Sequence, residues 1–308
     1  MLTNGFVRQK TLKTSIRCRG TALHSGDRVT MVFRPAAPDT GIVFRRTDRA
    51  GATLHARWSD VRESALCTTI DDGDGLLVAT VEHVMAALAG LEIDNCVIEL
   101  DGPEVPVMDG SAAPFVFLLE CAGTLELDAP RRAIEVLKPV QVGNGSKSAA
   151  LLPGAGLTLD MTIDFDARAI QHQNLRWMFD SESFKTDLAP ARTFGFLEDV
   201  NALRAAGLAR GGSMDNAIVI GDGQVLNREG LRFADEFVRH KALDALGDLY
   251  LAGLPIIGEF IGIRSGHAIN RRLLEALFAD RSAFRTVRMP ADTYTLDWQE
   301  EEPRRVSA

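Results

Sequence analysis

The tetrapeptide Leu-Ala-Gly-Leu occurs twice, at 88–91 and at 251–254, and the surrounding elements repeat in the same order. In each place a helical pattern comes first, a glycine (Gly90 or Gly253) can end that helix, and a β-rich run follows. The runs are "EIDNCVIEL" (92–100) and "PIIGEFIGI" (255–263), and each leads through a glycine turn into a second helical pattern, at 109–123 and 265–279. Four residues are little by themselves. The matching order of elements points to two similar α/β halves, each a sheet with two helices packed on it. Ser111 reads as the N-cap of the helix in "DGSAAPFVFLLECAG".

A chain of 308 residues, 46% of them hydrophobic, is long enough to bury a core in each half. The polar, proline-containing "DAPRR" (128–132) reads as the turn between them and divides the chain into 1–127 and 128–308. Strands are expected at 28–36, 41–47 and 156–165, and a hairpin at 216–227 around Gly221-Asp222-Gly223. The run "GNGSKS" (143–148) is a fragment of a phosphate loop without the strand–loop–helix context, and reads as a turn.

A net charge of −8 argues against a nucleic-acid protein and still permits a local basic patch that binds an anion. The four cysteines (18, 67, 96 and 121) are scattered and form no CxxC pair, which fits a reducing compartment. "MLTNGFVRQK" contains no apolar signal region, and no apolar run approaches the ~18 residues of a membrane-spanning helix. A soluble cytoplasmic monomer is the expectation.

"TVEHVMAAL" (80–88) is a buried-helix pattern with Glu82 and His83 side by side at its start. A charge buried without a partner costs several kcal/mol, so the pair is either exposed by accident or held there for chemistry. Thr80 can cap this helix, placing both residues in its first turn. A second helix, "EFVRHKALDALGDLY" (236–250), carries His240, Asp244 and Asp248 along one stripe. Taken alone, that stripe reads as an exposed face with a His–Asp pair. Together with His83, His240 and Asp244 would make a His₂Asp set, the layout of a catalytic metal with one open position, and Glu82 would stand beside it as general base. His267, in a glycine turn, suits a mobile acid held protonated by Asp248, or a histidine packing locally. Thr193 in "ARTFGF" can stabilise an oxyanion through hydroxyl or backbone, or be an ordinary strand-edge threonine.

"GTALHSG", "TVEHVMAAL", "MDGSAAPF", "ARTFGF", "GGSMDNAIV", "VRHKALDALGDL" and "SGHAIN" together resemble the UDP-3-O-acyl-N-acetylglucosamine deacetylases, the zinc amidases of lipid A biosynthesis. The motifs stand in the family's order from about residue 10 to 280. The resemblance implies two α/β domains with helices sandwiched between two β-sheets and the site at their interface. It implies zinc on His83, His240 and Asp244; the same donor set accepts ferrous iron. Glu82 then matches the general base, His267 the acid that stabilises the oxyanion and helps the amine leave, and Thr193 the oxyanion contact. Lys241 and Asp248 match supporting residues near substrate and His267, and His24 lies in a motif close to the site. The resemblance also implies an insert in each domain, near 42–70 and near 194–228. The second, starting at Phe194, would wall the apolar tunnel for the acyl chain. Phe165 and Arg264 fall at uridine- and phosphate-contacting positions; Arg264 stands where the family often has Lys, which keeps the charge and changes its geometry. Cys67 resembles a cysteine near the metal, able to take a second, inhibitory zinc and not needed for catalysis. A zinc amidase or esterase of another substrate is the alternative, and a closed structural metal site would have no use for Glu82. The segment 299–308 matches nothing functional and reads as a solvated tail.

Overall fold

The computed structural model describes residues 6–62 and 66–291; the tail at 299–308 lies outside them. The repeat extends well beyond the tetrapeptide. The first sheet contains β1 (Ile16–Thr21), β2 (Arg28–Pro35), β3 (Ile42–Arg46), β4 (Ala52–His55) and β5 (Cys96–Leu100), in the order β1-β2-β5-β3-β4. The second contains β6 (Val140–Asn144), β7 (Lys147–Leu152), β8 (Leu157–Phe165), β9 (Gln171–Met178) and β10 (Ile256–Ile263), in the order β6-β7-β10-β8-β9. The directions repeat as well. The last strand of each sheet is antiparallel to one neighbour, with Met31 opposite Leu100 and Ala150 opposite Ile261. It is parallel to the other, with Val43 opposite Val97 and Leu159 opposite Phe260. The halves differ in their extra pair: Arg8–Leu12 with Thr124–Pro130 is a separate two-stranded sheet, whereas Arg132–Val136 with Phe284–Arg288 joins the second sheet through Ile134, parallel and opposite Ile256, and makes it seven-stranded.

Alternation builds these strands. In β2, Val29, Met31 and Phe33 point inward, and in β5 Cys96, Ile98 and Leu100 do; in β8 the inward set is Leu159, Met161 and Ile163.

The helices packed on the two large sheets are α1 (Glu82–Gly90), α2 (Ala113–Ala122), α3 (Glu236–Tyr250) and α4 (His267–Ala279). Every residue of α1 is buried, as an all-round apolar segment requires. α1 packs on α3, α2 also packs on β1, and α4 on β6 and β7, so the helices lie between the two sheets.

Four local readings change. Thr80 does not cap α1. It sits at φ 58°, its hydroxyl donates to Glu104 Oε1 at 3.2 Å, and Val81 takes the N-cap position. Ala112, not Ser111, is the N-cap of α2, although the Ser111 hydroxyl does accept from the Ala113 amide. "DAPRR" is not a turn, because Thr124–Pro130 and Arg132–Val136 are both paired strands that meet at Arg131; the 127/128 division falls inside the first of them. The stretch 42–70 is not one insert. Its first part supplies β3 and β4, and a small separate sheet runs from Val61–Arg62 through Thr69–Asp71 to Leu77–Val78. The 194–228 segment does form its own unit, a sheet of Phe194–Phe196, Ile218–Gly221 and Gln224–Val225 with a helix, Leu197–Ala205. "GNGSKS" is the hairpin between β6 and β7.

Candidate active site

The crossing of α1 and α3 assembles the site, and Gly247 makes the crossing close. A Cβ there would stand 2.0 Å from the Glu82 carbonyl oxygen. With that approach, one donor atom each from His83, His240 and Asp244 lies within 4.8 Å of the others. Asp244 Oδ1 is 3.3 Å from His240 Nε2 and 3.6 Å from His83 Nε2. That oxygen is buried and has no hydrogen-bond partner, an arrangement that is costly in a core unless a cation completes it. His240 Nδ1 donates to the Ala191 carbonyl at 3.0 Å, which leaves the Nε2 lone pair facing the cluster. Burial, against the pull of Asp244, lowers the His240 pKa to about 4, so the ring is neutral as a ligand must be. Burial alone would raise Asp244; His240 and Lys241, whose Nζ donates to Oδ2 at 2.8 Å, hold it well below the usual carboxylate range. The residues present therefore fit a divalent metal with two imidazoles and a carboxylate.

Glu82 stands beside this set. Burial raises its pKa, which the charge of His267 partly opposes. Its Oε2 accepts from the Thr68 amide at 3.0 Å, and its Oε1 lies 4.0 Å from His267 Nε2. His267 opens α4. Its Nδ1 donates to Asp248 Oδ2 at 2.9 Å. Burial would lower its pKa, but the Asp248 charge and hydrogen bond outweigh burial and raise it to about 10. Asp248 is itself held by Asn270 Nδ2 at 2.9 Å and Thr68 Oγ1 at 2.5 Å.

Glu82, His83, His240, Asp244 and His267 line a cleft of about 450 Å³ that also includes Thr193, Phe194, Phe165, Lys241, Arg264 and Lys147. The Thr193 amide is taken up by the Gly110 carbonyl at 2.8 Å. Phe194 stacks edge-on against Phe165 and Phe237, with ring centres 5.8 and 5.0 Å apart, and stands 6.3 Å from the His240 ring. Arg264 sits at φ 49° at the rim, 3.9 Å from Asp164. His24 is not in the lining; its neighbour Leu23 is. Both His24 ring nitrogens are buried without a hydrogen-bond partner, and its backbone amide donates to Glu104 at 2.7 Å. Cys67 is buried, 3.6 Å from the Thr69 hydroxyl.

Three further groups bear on the site. Lys147 lies in "GNGSKS", which reads as a turn and gives no sign that its lysine reaches the cleft. Thr68 lies one residue from Cys67. Arg192 pairs with buried Glu236, with Nε to Oε1 at 2.9 Å, and with Glu229 at 3.0 Å, which ties the segment before Thr193 to the first turn of α3. "ARTFGF" contained that arginine, but nothing in the motif pairs it with a residue 44 positions away.

Three converging donors with a carboxylate alongside define the class, a metalloenzyme. The chain belongs to the UDP-3-O-acyl N-acetylglycosamine deacetylase family, which matches residues 9–279. It is 49% identical over 282 residues to the UDP-3-O-acyl-N-acetylglucosamine deacetylase of Photobacterium profundum, covering 91% of this chain and 93% of that one. It is 48% identical to the enzymes of the same name from Vibrio cholerae serotype O1, over 91% of this chain and 92% of that one, and from Histophilus somni, over 92% and 93%. No helix among the described residues is long and apolar enough to cross a membrane.

Proposed function

We propose that this chain hydrolyses the N-acetyl group of UDP-3-O-(3-hydroxyacyl)-N-acetylglucosamine, releasing acetate and freeing the glucosamine 2-amine for the next acylation in lipid A biosynthesis. The convergence of His83, His240 and Asp244 beside Glu82 carries the reading, and the names of the relatives supply the substrate. His83, His240 and Asp244 would hold zinc, which supplies Lewis acidity to polarise the acetamide carbonyl and lowers the pKa of water to about 7.

The chain's own groups do the rest. Glu82 removes the proton of the attacking water, helped by a raised pKa that makes it a better base than a surface carboxylate. The protonated His267 Nε2 and the Thr193 hydroxyl face the developing oxyanion. His267 then passes a proton toward the leaving nitrogen, and Asp248 holds its ring in place throughout. Lys241, Lys147 and Arg264 give the cleft a positive rim suited to a diphosphate despite the acidic total. Phe165 and Phe194 offer an apolar face. On the 194–228 unit Leu197, Leu208, Met214 and Leu226 are exposed apolar side chains, which suit a passage for an acyl chain. His24 supports the Leu23 side of the cleft. The scattered cysteines support a cytoplasmic setting, and one chain supplies every group the reaction uses, so the working unit is a monomer.

The test is metal content and deacetylation of the UDP-sugar by wild type beside His240→Ala and Glu82→Ala. One metal and turnover in wild type, metal lost in His240→Ala, and metal kept with turnover lost in Glu82→Ala are expected. Wild-type rate in Glu82→Ala would remove the base assignment.

A further inference from the structure

We infer that Thr68 is a positioning residue that ties the proton-accepting and proton-donating sides of the site together. The inference rests on the reaction proposed above.

Thr68 is buried and comes from the first half, at the entry to the small strand Thr69–Asp71. Its amide donates to Glu82 Oε2 at 3.0 Å. Its hydroxyl donates to Asp248 Oδ1 at 2.5 Å and lies 3.1 Å from His267 Nδ1. Its carbonyl accepts from the Val81 amide at 3.2 Å, which fixes the segment against the start of α1. One residue thus contacts the base, the acid, and the carboxylate that orients the acid, on three elements from both halves.

The chemistry of the contacts separates the parts. The amide contact to Glu82 belongs to the backbone and survives any side-chain change. The hydroxyl contact is charge-assisted, since it donates to a carboxylate. With Thr68 in place, Asp248 accepts from Thr68, His267 and Asn270, which leaves its plane and the His267 ring a single orientation. Without that hydroxyl, Asp248 Oδ1 loses the donor found there and the carboxylate can rotate, carrying the imidazole away from the cleft.

The experiment compares Thr68→Val, which keeps the shape and removes the hydroxyl, with Thr68→Ser, which restores it. For Thr68→Val, kcat is expected to fall ~10–100-fold, the range for an outer residue that orients a catalytic group. KM and metal stoichiometry stay near wild type, and Thr68→Ser recovers most of the rate. Thr68→Val combined with Asp248→Asn is no slower than Asp248→Asn alone, because the two act through one carboxylate. A wild-type kcat in Thr68→Val, or penalties that multiply in the double variant, overturns the inference; if Thr68→Val does not fold, Thr68→Ala carries the same comparison. A wild-type protein that binds metal and does not turn over defeats the proposed function instead. The His267 Nδ1 proton resonance then decides: moved in Thr68→Val and restored in Thr68→Ser it upholds the tie, and unmoved it removes it.

Discussion

Gly247 on α3 lies against the backbone carbonyl of Glu82 on α1, so close that a Cβ would stand 2.0 Å from that oxygen. The contact sets the distance between the helix that carries Glu82 and His83 and the helix that carries His240 and Asp244. Gly247→Ala must push the helices apart, since the obstacle is backbone rather than a side chain that can turn. Overpacking of this kind costs about 1–3 kcal/mol. A lower Tm together with weakened metal binding is expected, read by thermal melts and by metal titration; unchanged metal affinity would show that the spacing does not govern the ligand set.

The fold disfavours the charged state of Glu82. Burial raises its pKa, so its ionisation opposes folding above the pKa of the unfolded chain. Glu82→Gln should therefore raise the Tm of the chelator-treated protein at neutral pH while lowering kcat by ~10²–10⁴-fold, the range for a general base. A Tm that falls would contradict the sign.

The pH profile should report two groups. The acid limb follows Glu82, which must be deprotonated to act, and lies above the ordinary carboxylate range. The alkaline limb follows His267, raised from 6.5 to about 10 by Asp248 against burial. A histidine raised on folding stabilises the fold fully below its unfolded pKa, and that contribution is lost as pH rises through the folded value. Asp248→Asn should move the alkaline limb of kcat toward lower pH and shrink the loss of Tm between about pH 7 and about pH 10, the window that ends at the folded pKa. An unmoved limb would assign it to another group.

Glu236 is fully buried against Arg192. Removing one partner of such a pair leaves an uncompensated buried charge and costs about 3–5 kcal/mol. Arg192→Met, which strands the buried Glu236 carboxylate, should lose that much in denaturant unfolding, whereas Arg192→Met with Glu236→Leu should lose much less; after Glu236→Leu alone Arg192 keeps Glu229 at 3.0 Å. Equal losses would mean that the pair is not coupled.

The local patterns in the sequence already carried much of this protein. Helix α3 spans the residues its helical periodicity marks, and β8 and β10 nearly match their alternating runs, because burial on one face is written into residue spacing. The i,i+4 placement of His240 and Asp244 fixes two donors on one face for the same reason. The ends of elements were less legible. Thr80 was misread as a cap because its partner is Glu104, 24 residues away, and the turn expected at 128–132 became paired strands because Arg8–Leu12 and Phe284–Arg288 supply the neighbours.

What tertiary structure alone decided was the meeting of distant groups. No spacing in the chain places His83 3.6 Å from Asp244, or the Thr68 hydroxyl against Asp248, 180 residues on. Those distances follow from two sheets that share a five-strand order and bring α1 and α3 together, and from a glycine small enough to let them touch. Residue order determines which atoms can bind, because chemistry resides in residue type; packing determines whether they converge, because convergence depends on backbone separations that local periodicity does not encode.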